Sequence, residues 1–240
     1  MLSEGTTDVR LTVWNCNQAF RRKQHQLLDL EPDIAVVPEC EDPSKKGDWS
    51  AWTDWAWTGD DPHRGIGVFT RNDIAISDTT EIAEADHFLH VETDSVDVLA
   101  VWAMNDRENP RQRYIGQVHT ALETHRQLVD EDTVVAGDFN WNVTWDESPN
   151  SPLRGDFADV RGALNGAGLY SAYHAARGDE FGEETEATLY MHKKEERPYH
   201  IDYVFVPERQ TESAVGVTVG GYDDWIDASD HVPLVVETDL

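Results

Sequence analysis

Short apolar runs bounded by turn residues recur along this chain and read as strands, those at 34–37 and 133–137 as buried strands. They cover residues 10–14, 34–37, 65–70, 74–76, 87–91, 96–104, 133–137, 187–191, 199–206, 214–219 and 232–237. Helical spacing appears in three places. Phe20, Leu27 and Leu28 share one face of a helix over 20–30, with Arg21, Arg22 and Lys23 off it, and Pro32 ends it. Asn109-Pro110 is an N-cap followed by proline in the first turn, and Ile115, Val118, Leu122 and Val129 form the buried face behind it. Asp156 caps a third helix, which buries Phe157, Val160 and Leu164 and ends at Gly166 or Gly168. Residues 1–8 are polar and expected to fray. Residues 41–64 are acidic and loop-like, with Trp49, Trp52, Trp55 and Trp57 among them.

The order of elements predicts the architecture. Strand, helix and strand over 10–37 imply a right-handed crossover and parallel pairing. The runs from 65 to 104 have no helices between them, which implies antiparallel pairing. The expected fold class is α/β, a four-layer sandwich in which two mixed β-sheets pack face to face with helices outside. The chain reads as one domain over 1–240, and the halves 1–125 and 126–240 each run strand, helix and further strands. There is no internal repeat, low-complexity tract or linker.

Charge adds an unusual surface. The formal net charge is −28 on 240 residues, yet the apolar content is ordinary, so the chain is folded rather than disordered. Lysine is scarce and most of the positive charge is arginine. Such a surface fits a salt-adapted cytoplasmic protein, with an acidic protein of an ordinary cytoplasm as the alternative. Cys16 and Cys40 do not make a disulfide framework. No basic-then-apolar N-terminal stretch and no run long enough to span a bilayer is present, so a soluble, intracellular protein is expected.

The chemistry concentrates where strands end. The run 133–137 leads into Gly137-Asp138-Phe139-Asn140, which offers a carboxylate and an amide two residues apart. The competing reading is an Asx turn. Similar polar groups, Asn15/Asn17, Glu39, His200/Asp202 and Asp230/His231, lie at or just beyond other strand ends. Ligands of open α/β sheets bind at such edges. Carboxylates, amides and imidazoles with hardly a thiol favour a hard cation, Mg²⁺ with Mn²⁺ as the alternative, and Glu39 and Asp230 are the expected ligands. His231 would stabilise phosphate charge or move a proton, oriented by Asp202, and Asp138 and Asn140 would position an attacking water.

The order and spacing of Asn15, Glu39, Gly137-Asp138-Phe139-Asn140, Ile201-Asp202-Tyr203 and Ser229-Asp230-His231-Val232-Pro233-Leu234 resemble the endonuclease/exonuclease/phosphatase superfamily over residues 10–238. The resemblance implies the DNase I-like sandwich and Mg²⁺-dependent hydrolysis of a phosphate ester by in-line attack of water. It places Asn15 and Glu39 near the metal, with Asp230 completing that site. Asp138 would align the water, Asn140 contact phosphate and Asp202 orient His231. With the acidic composition it suggests a halophilic archaeal member. Two departures stand out. Asn17 occupies a position that is acidic in many members. Val101-Trp102-Ala103-Met104-Asn105 stands where many carry a histidine or tyrosine. Asn17, Trp102, Asn105 and His200 are the candidate substrate-side positions.

Nucleic acid is the favoured substrate, with a small phosphate ester or phospholipid head group as alternatives. The sparse cations at Arg21-Arg22-Lys23, at Arg107, Arg111 and Arg113, and at Lys193, Lys194 and Arg197 adjoin motif strands. The tryptophans of 49–57 are either base-stacking groups or core. Ser229, Asp230 and His231 are adjacent and project differently, which excludes a serine-hydrolase triad among them. A non-catalytic acidic binding module on the same fold, indifferent to loss of Glu39 or Asp230, is the rival class. A monomer is expected.

Overall fold

Alternation along the central strands decides which side chains meet between the sheets. In the strand Asp97–Trp102, Val98, Ala100 and Trp102 face one core while Leu99 and Val101 face another. The computed structural model describes residues 8–147, 152–212 and 216–239. The expectation of a frayed N-terminus and the residues 214 and 215 of a predicted strand lie outside these.

The strands are β1 (Asp8–Val13), β2 (Ile34–Cys40), β3 (Asp54–Asp61), β4 (Arg64–Thr70), β5 (Ile76–Glu81), β6 (Phe88–Thr93) and β7 (Asp97–Trp102). They continue as β8 (Thr133–Asp138), β9 (Leu169–Ser171), β10 (Leu189–Tyr190), β11 (Pro198–Tyr199), β12 (Asp202–Pro207), β13 (Gly216–Val219) and β14 (Leu234–Asp239). One six-stranded sheet has the order β13-β14-β1-β2-β4-β3 and the other β5-β6-β7-β8-β12-β9. Each contains one parallel pair, β1 with β2 and β7 with β8, so both are mixed. Leu11, Val36 and Val68 of the first sheet pack against Val98, Val134 and Val204 of the second.

The outer faces are covered as the periodicity predicts. Helices α1 (Gln24–Leu28), α2 (Ile115–Thr124) and α3 (Phe157–Gly166) lie outside the sheets. Ile115, Val118 and Leu122 of α2 and Phe157, Val160 and Leu164 of α3 cover β7, β8 and β12. Asp156 forms the cap, its carboxylate accepting from the Asp159 N–H at 2.9 Å while Asp159 accepts from the Asp156 N–H. Asn109-Pro110 opens only a short 3₁₀ turn, and its asparagine side chain makes no cap bond. Val129 is buried beyond the end of α2, after a second 3₁₀ turn.

Several expectations are corrected. The 41–64 stretch is not all loop: β3 lies within it and pairs with β4. Its tryptophans do not offer a base-stacking platform. Trp49 and Trp52 pack with Phe20 and Phe69 on the outer face of the first sheet, and the Trp57 N–H donates to the Cys40 carbonyl. The sheets also do not follow the two halves of the chain. The first combines β1–β4 with β13 and β14, because β14 returns to pair antiparallel with β1, Leu11 opposite Val236. Cys16 and Cys40 are buried free thiols, and burial pushes both up.

The acidic surplus carries a first expectation. At ~0.01 M ionic strength the Debye length is about 30 Å, so a net charge of −28 repels itself across the whole molecule. At ~1 M it is about 3 Å. The thermal midpoint is expected to rise by ~10 °C or more between these conditions. A flat profile of midpoint against KCl would show that the acidic surface does not govern stability.

Candidate active site

Trp102, Asp138 and Asp202 end up side by side because of strand parity. Val134, Ala136 and Asp138 lie on the inner face of β8, and Asp202, Val204 and Val206 on that of β12. The register pairs Asp202 with Asp138 and Trp102 with Asp138. Gly137 allows this close approach: it has φ +147, and a Cβ there would stand 1.9 Å from the Val101 carbonyl oxygen. All three side chains therefore sit where the inter-sheet core opens.

Glu39 reaches the same place by breaking the alternation. Ala35 and Val37 face outward, and strict parity would send Glu39 with them. Instead Glu39 has φ 63, and the β2–β4 register shifts between Pro38 and Cys40. A bulge of this kind re-aims a side chain. Asn17 and Asn140 also sit at left-handed φ, 49 and 50. Such conformations cost free energy in non-glycine residues and gather at functional sites.

A hydrogen-bonded chain links the motifs. The Asn15 amide donates to Glu39 Oε1 at 3.2 Å and to Asp138 Oδ2 at 2.9 Å. The Asn17 N–H donates to Asn15 Oδ1 at 3.1 Å, and the Asn17 amide to Asp230 Oδ1 at 3.3 Å. The Asn140 N–H donates to Asp138 Oδ1 at 2.8 Å, and its amide to Asp138 Oδ2 at 3.1 Å and to the Ala103 carbonyl at 3.0 Å. His231 Nδ1 lies 2.9 Å from Asp202 Oδ2, and its Nε2 lies 3.9 Å from Asp138 Oδ2. Backbone bonds fix the loop that bears Asp230 and His231. Ser229 Oγ donates to the Asn15 carbonyl, the Trp14 indole N–H donates to the His231 carbonyl, and the Tyr190 N–H donates to that of Asp230.

The electrostatics are those of a buried, mutually dependent set. Burial and the neighbouring Asp202 push the Asp138 carboxyl up to about 7, against His231 and the donors Asn15 and Asn140. Burial alone would lower the His231 imidazole, but Asp202 and Asp138 raise it to about 10. An imidazolium between two carboxylates, with its Nε2 toward Asp138, can stabilise an oxyanion or give up a proton.

Among the described residues, Asp138, Asp202 and His231 form a buried group whose donor atoms lie within 4.8 Å of one another. These atoms are largely occupied by each other, although Asp202 Oδ1 is buried without a partner. Glu39 and Asp230 are held by an amide, and Glu39 also by the Arg64 guanidinium at 3.2 Å. Their hard oxygens fit a cation such as Mg²⁺ or Mn²⁺, which would replace N–H donors. Asn15 as arranged presents N–H groups to both carboxylates while its oxygen is taken by Asn17, so it orients the carboxylates.

The other candidate positions separate. Trp102 is buried in the inter-sheet core, and Asn105 is exposed at the rim. His200 is not brought to the cluster. Its Nδ1 meets the Glu186 carbonyl at 2.8 Å and its ring packs on Tyr173 and Tyr203, because it precedes Asp202 by two residues across a break between β11 and β12. Burial lowers its pKa. Of the noted cations, Arg21 pairs with Glu41, Lys23 donates to the carbonyls of Cys16, Asn17 and Ala228, and Lys193 to that of Asp227.

The sequence reading missed one feature. A cavity of about 450 Å³ opens beside Asn140, lined by Tyr114, Trp141, Trp145, Leu189 and Met191, with Arg113 and Asn105 at its edge. Arg113 Nε is buried without a partner. The signal was available, since Trp141 and Trp145 directly follow the Gly-Asp-Phe-Asn motif.

The endonuclease/exonuclease/phosphatase family description matches residues 12–231. No curated protein matches the chain. Among solved structures, the 3′ phosphatase NExo from Neisseria bound to a product DNA hairpin is 19% identical, with a TM-score of 0.74 over 97% of this chain and 100% of that one. An AP endonuclease from Archaeoglobus fulgidus is 16% identical (TM-score 0.64, 97% and 100% covered). TDP2 from D. rerio, complexed with a single-strand DNA product, is 16% identical (TM-score 0.65, 97% and 99% covered). At such identities the likeness is one of fold: two mixed six-stranded sheets with few helices.

Proposed function

Since the chain belongs to the endonuclease/exonuclease/phosphatase family, we propose that it is a divalent-metal-dependent phosphoesterase that hydrolyses a phosphodiester in nucleic acid. The observation that carries this reading is the hydrogen-bonded set Glu39–Asn15–Asp138, with the His231–Asp202 pair 3.9 Å from Asp138, beside an aromatic cavity of about 450 Å³ that opens at Asn140. Two of the structural relatives named above, NExo and the D. rerio TDP2, are bound to DNA products, which supports the substrate class.

Glu39 and Asp230 would hold the cation, which when bound supplies positive charge to the phosphoryl group. The remaining work falls to this chain's side chains. Asp138, with a carboxyl raised to about 7, takes a proton from the attacking water near neutral pH. Asn140 and Asn15 keep that carboxylate aimed. His231, held charged by Asp202 and Asp138, faces the oxygens on which negative charge develops. Asp202 fixes the imidazole through Nδ1. Trp145 and Tyr114, both half-buried, offer stacking faces to a base, worth ~1–3 kcal/mol each. In molar salt the counterion-release contribution to DNA binding is small, so stacking becomes the larger source of affinity.

Turnover of single-stranded, duplex and abasic DNA and of small phosphate esters, with Mg²⁺ or Mn²⁺ at molar KCl, tests this. A DNA substrate is expected to lead in kcat/KM. Calorimetry is expected to detect metal binding to the wild type and its loss in Glu39→Gln. Faster turnover of a small ester would replace the substrate class. Equal metal affinity in both proteins would remove Glu39 from the metal, and no hydrolysis at all would favour the binding module.

A further inference from the structure

The sequence has a tryptophan where the family resemblance leads one to expect a phosphate-contacting histidine or tyrosine, and the structure places a cation on it. Arg64, the first residue of β4, extends from one sheet toward the other. Its Cζ lies 4.8 Å from the Trp102 ring centroid. One guanidinium nitrogen lies 3.2 Å from Glu39 Oε1. His87 meets the same indole edge-on, with centroids 4.6 Å apart. Arg64 Nε and Trp102 Nε1 are both buried without partners, so the plate and the stem of the guanidinium are enclosed while its end is not: the Arg64 side chain is 41% exposed and that of Glu39 17%.

Two cations cannot share the Glu39 oxygen without repulsion. A divalent ion arriving at Glu39 displaces the guanidinium, and the Trp102 face keeps it at the mouth of the cleft. A planar guanidinium with several N–H donors suits phosphate oxygens in a two-pronged contact, which an indole cannot make. We propose that Arg64 is a substrate-positioning residue that pairs with Glu39 in the metal-free protein and passes to a non-bridging phosphate oxygen of the substrate when the cation binds. The inference rests on the metal-dependent reading of the site and adds its substrate clamp. Metal and phosphodiester then bind cooperatively, because one removes the competitor of the other.

The test uses binding rather than turnover. Mn²⁺ is titrated calorimetrically into the full-length wild type, Arg64→Gln and Arg64→Lys. Arg64→Gln is expected to bind Mn²⁺ about 5-fold more tightly or better, within the usual range of such couplings. Arg64→Lys, which keeps a charge for Glu39, is expected to stay near the wild type, and it serves if the glutamine variant does not fold. Binding of a short labelled single-stranded DNA is followed by anisotropy in an Asp138→Asn background, which suppresses hydrolysis. There Mn²⁺ is expected to tighten DNA binding with Arg64 present and to do so about 10-fold less in Arg64→Gln and Arg64→Lys. Unchanged Mn²⁺ affinity in Arg64→Gln, or equal tightening in all proteins, overturns the role of Arg64. If wild type still binds Mn²⁺ and cleaves DNA, the phosphoesterase reading survives that result. No Mn²⁺ binding by the wild type overturns both.

Discussion

Replacing His231 with alanine is expected to lower kcat/KM on the best phosphodiester by ~10³-fold or more, as loss of a charged, proton-moving group at the reacting phosphate implies. The imidazole is buried, raised to about 10 and 2.9 Å from Asp202. Asp202→Asn removes the orienting charge and is expected to cost ~10²-fold. Because Asp202 acts through His231, the double variant should be little worse than His231→Ala alone. The measurement is kcat/KM for the three variants. Multiplicative losses would show two independent contributions. Near-wild-type turnover in His231→Ala would remove the mechanism.

Asp138→Asn is expected to abolish ~10³–10⁴-fold of activity while making the protein more stable at pH 8. The Asp138 carboxyl is raised from 3.8 to about 7, a net value that already contains the attraction of His231. A raised carboxyl pKa means that the folded state disfavours the ionised form. Stability is therefore undiminished below about 3.8, falls as pH rises toward about 7 and stays lower above it. Asparagine removes that penalty and keeps the shape, but its NH₂ faces a donor of Asn15 or Asn140, which offsets part of the gain. The expected gain at pH 8 is ~1–2 kcal/mol, about 2–8 °C in Tm for a chain of this length, and it should vanish near pH 4. The contribution of His231 runs in the same direction over a higher window. Its stabilisation is full below 6.5 and lost as pH rises through about 10, so measurements stay below pH 9. A variant less stable than wild type at pH 8 would show that the carboxylate is held for structure.

What the sequence made legible follows from periodicity. Thr133–Asp138 could be read as a buried strand, and alternation alone puts Asp138 on the face of Val134 and Ala136. Asp202 follows by the same rule on β12. Glu39 could be found by its motif but not by its geometry, because its side chain reaches the cleft through a bulge and a φ of 63 that no alternation encodes. The strand β3 was hidden because its buried positions are the small Ala56 and the polar Thr58, while Trp55 and Trp57 lie half-buried on the other face. The division of the sheets was hidden for another reason. Pairing of β14 with β1 joins residues more than two hundred positions apart, and no local pattern carries that information. Trp102 was a candidate position, but nothing in the sequence singled out Arg64, because their contact spans two sheets.

That same β1–β14 pairing has a consequence for how the chain is made. Asn15 and Glu39 leave the ribosome well before Asp230 and His231, and β1, paired with β2 on one side, keeps its other edge open until β14 arrives. Contacts of such sequence separation fold slowly, and an exposed edge strand invites pairing with other chains. Until β14 docks on β1, the proposed site of a nascent chain lacks Asp230 and His231. The acidic surplus then has a second use during synthesis, since half-made chains that carry it repel one another while their edges are unprotected.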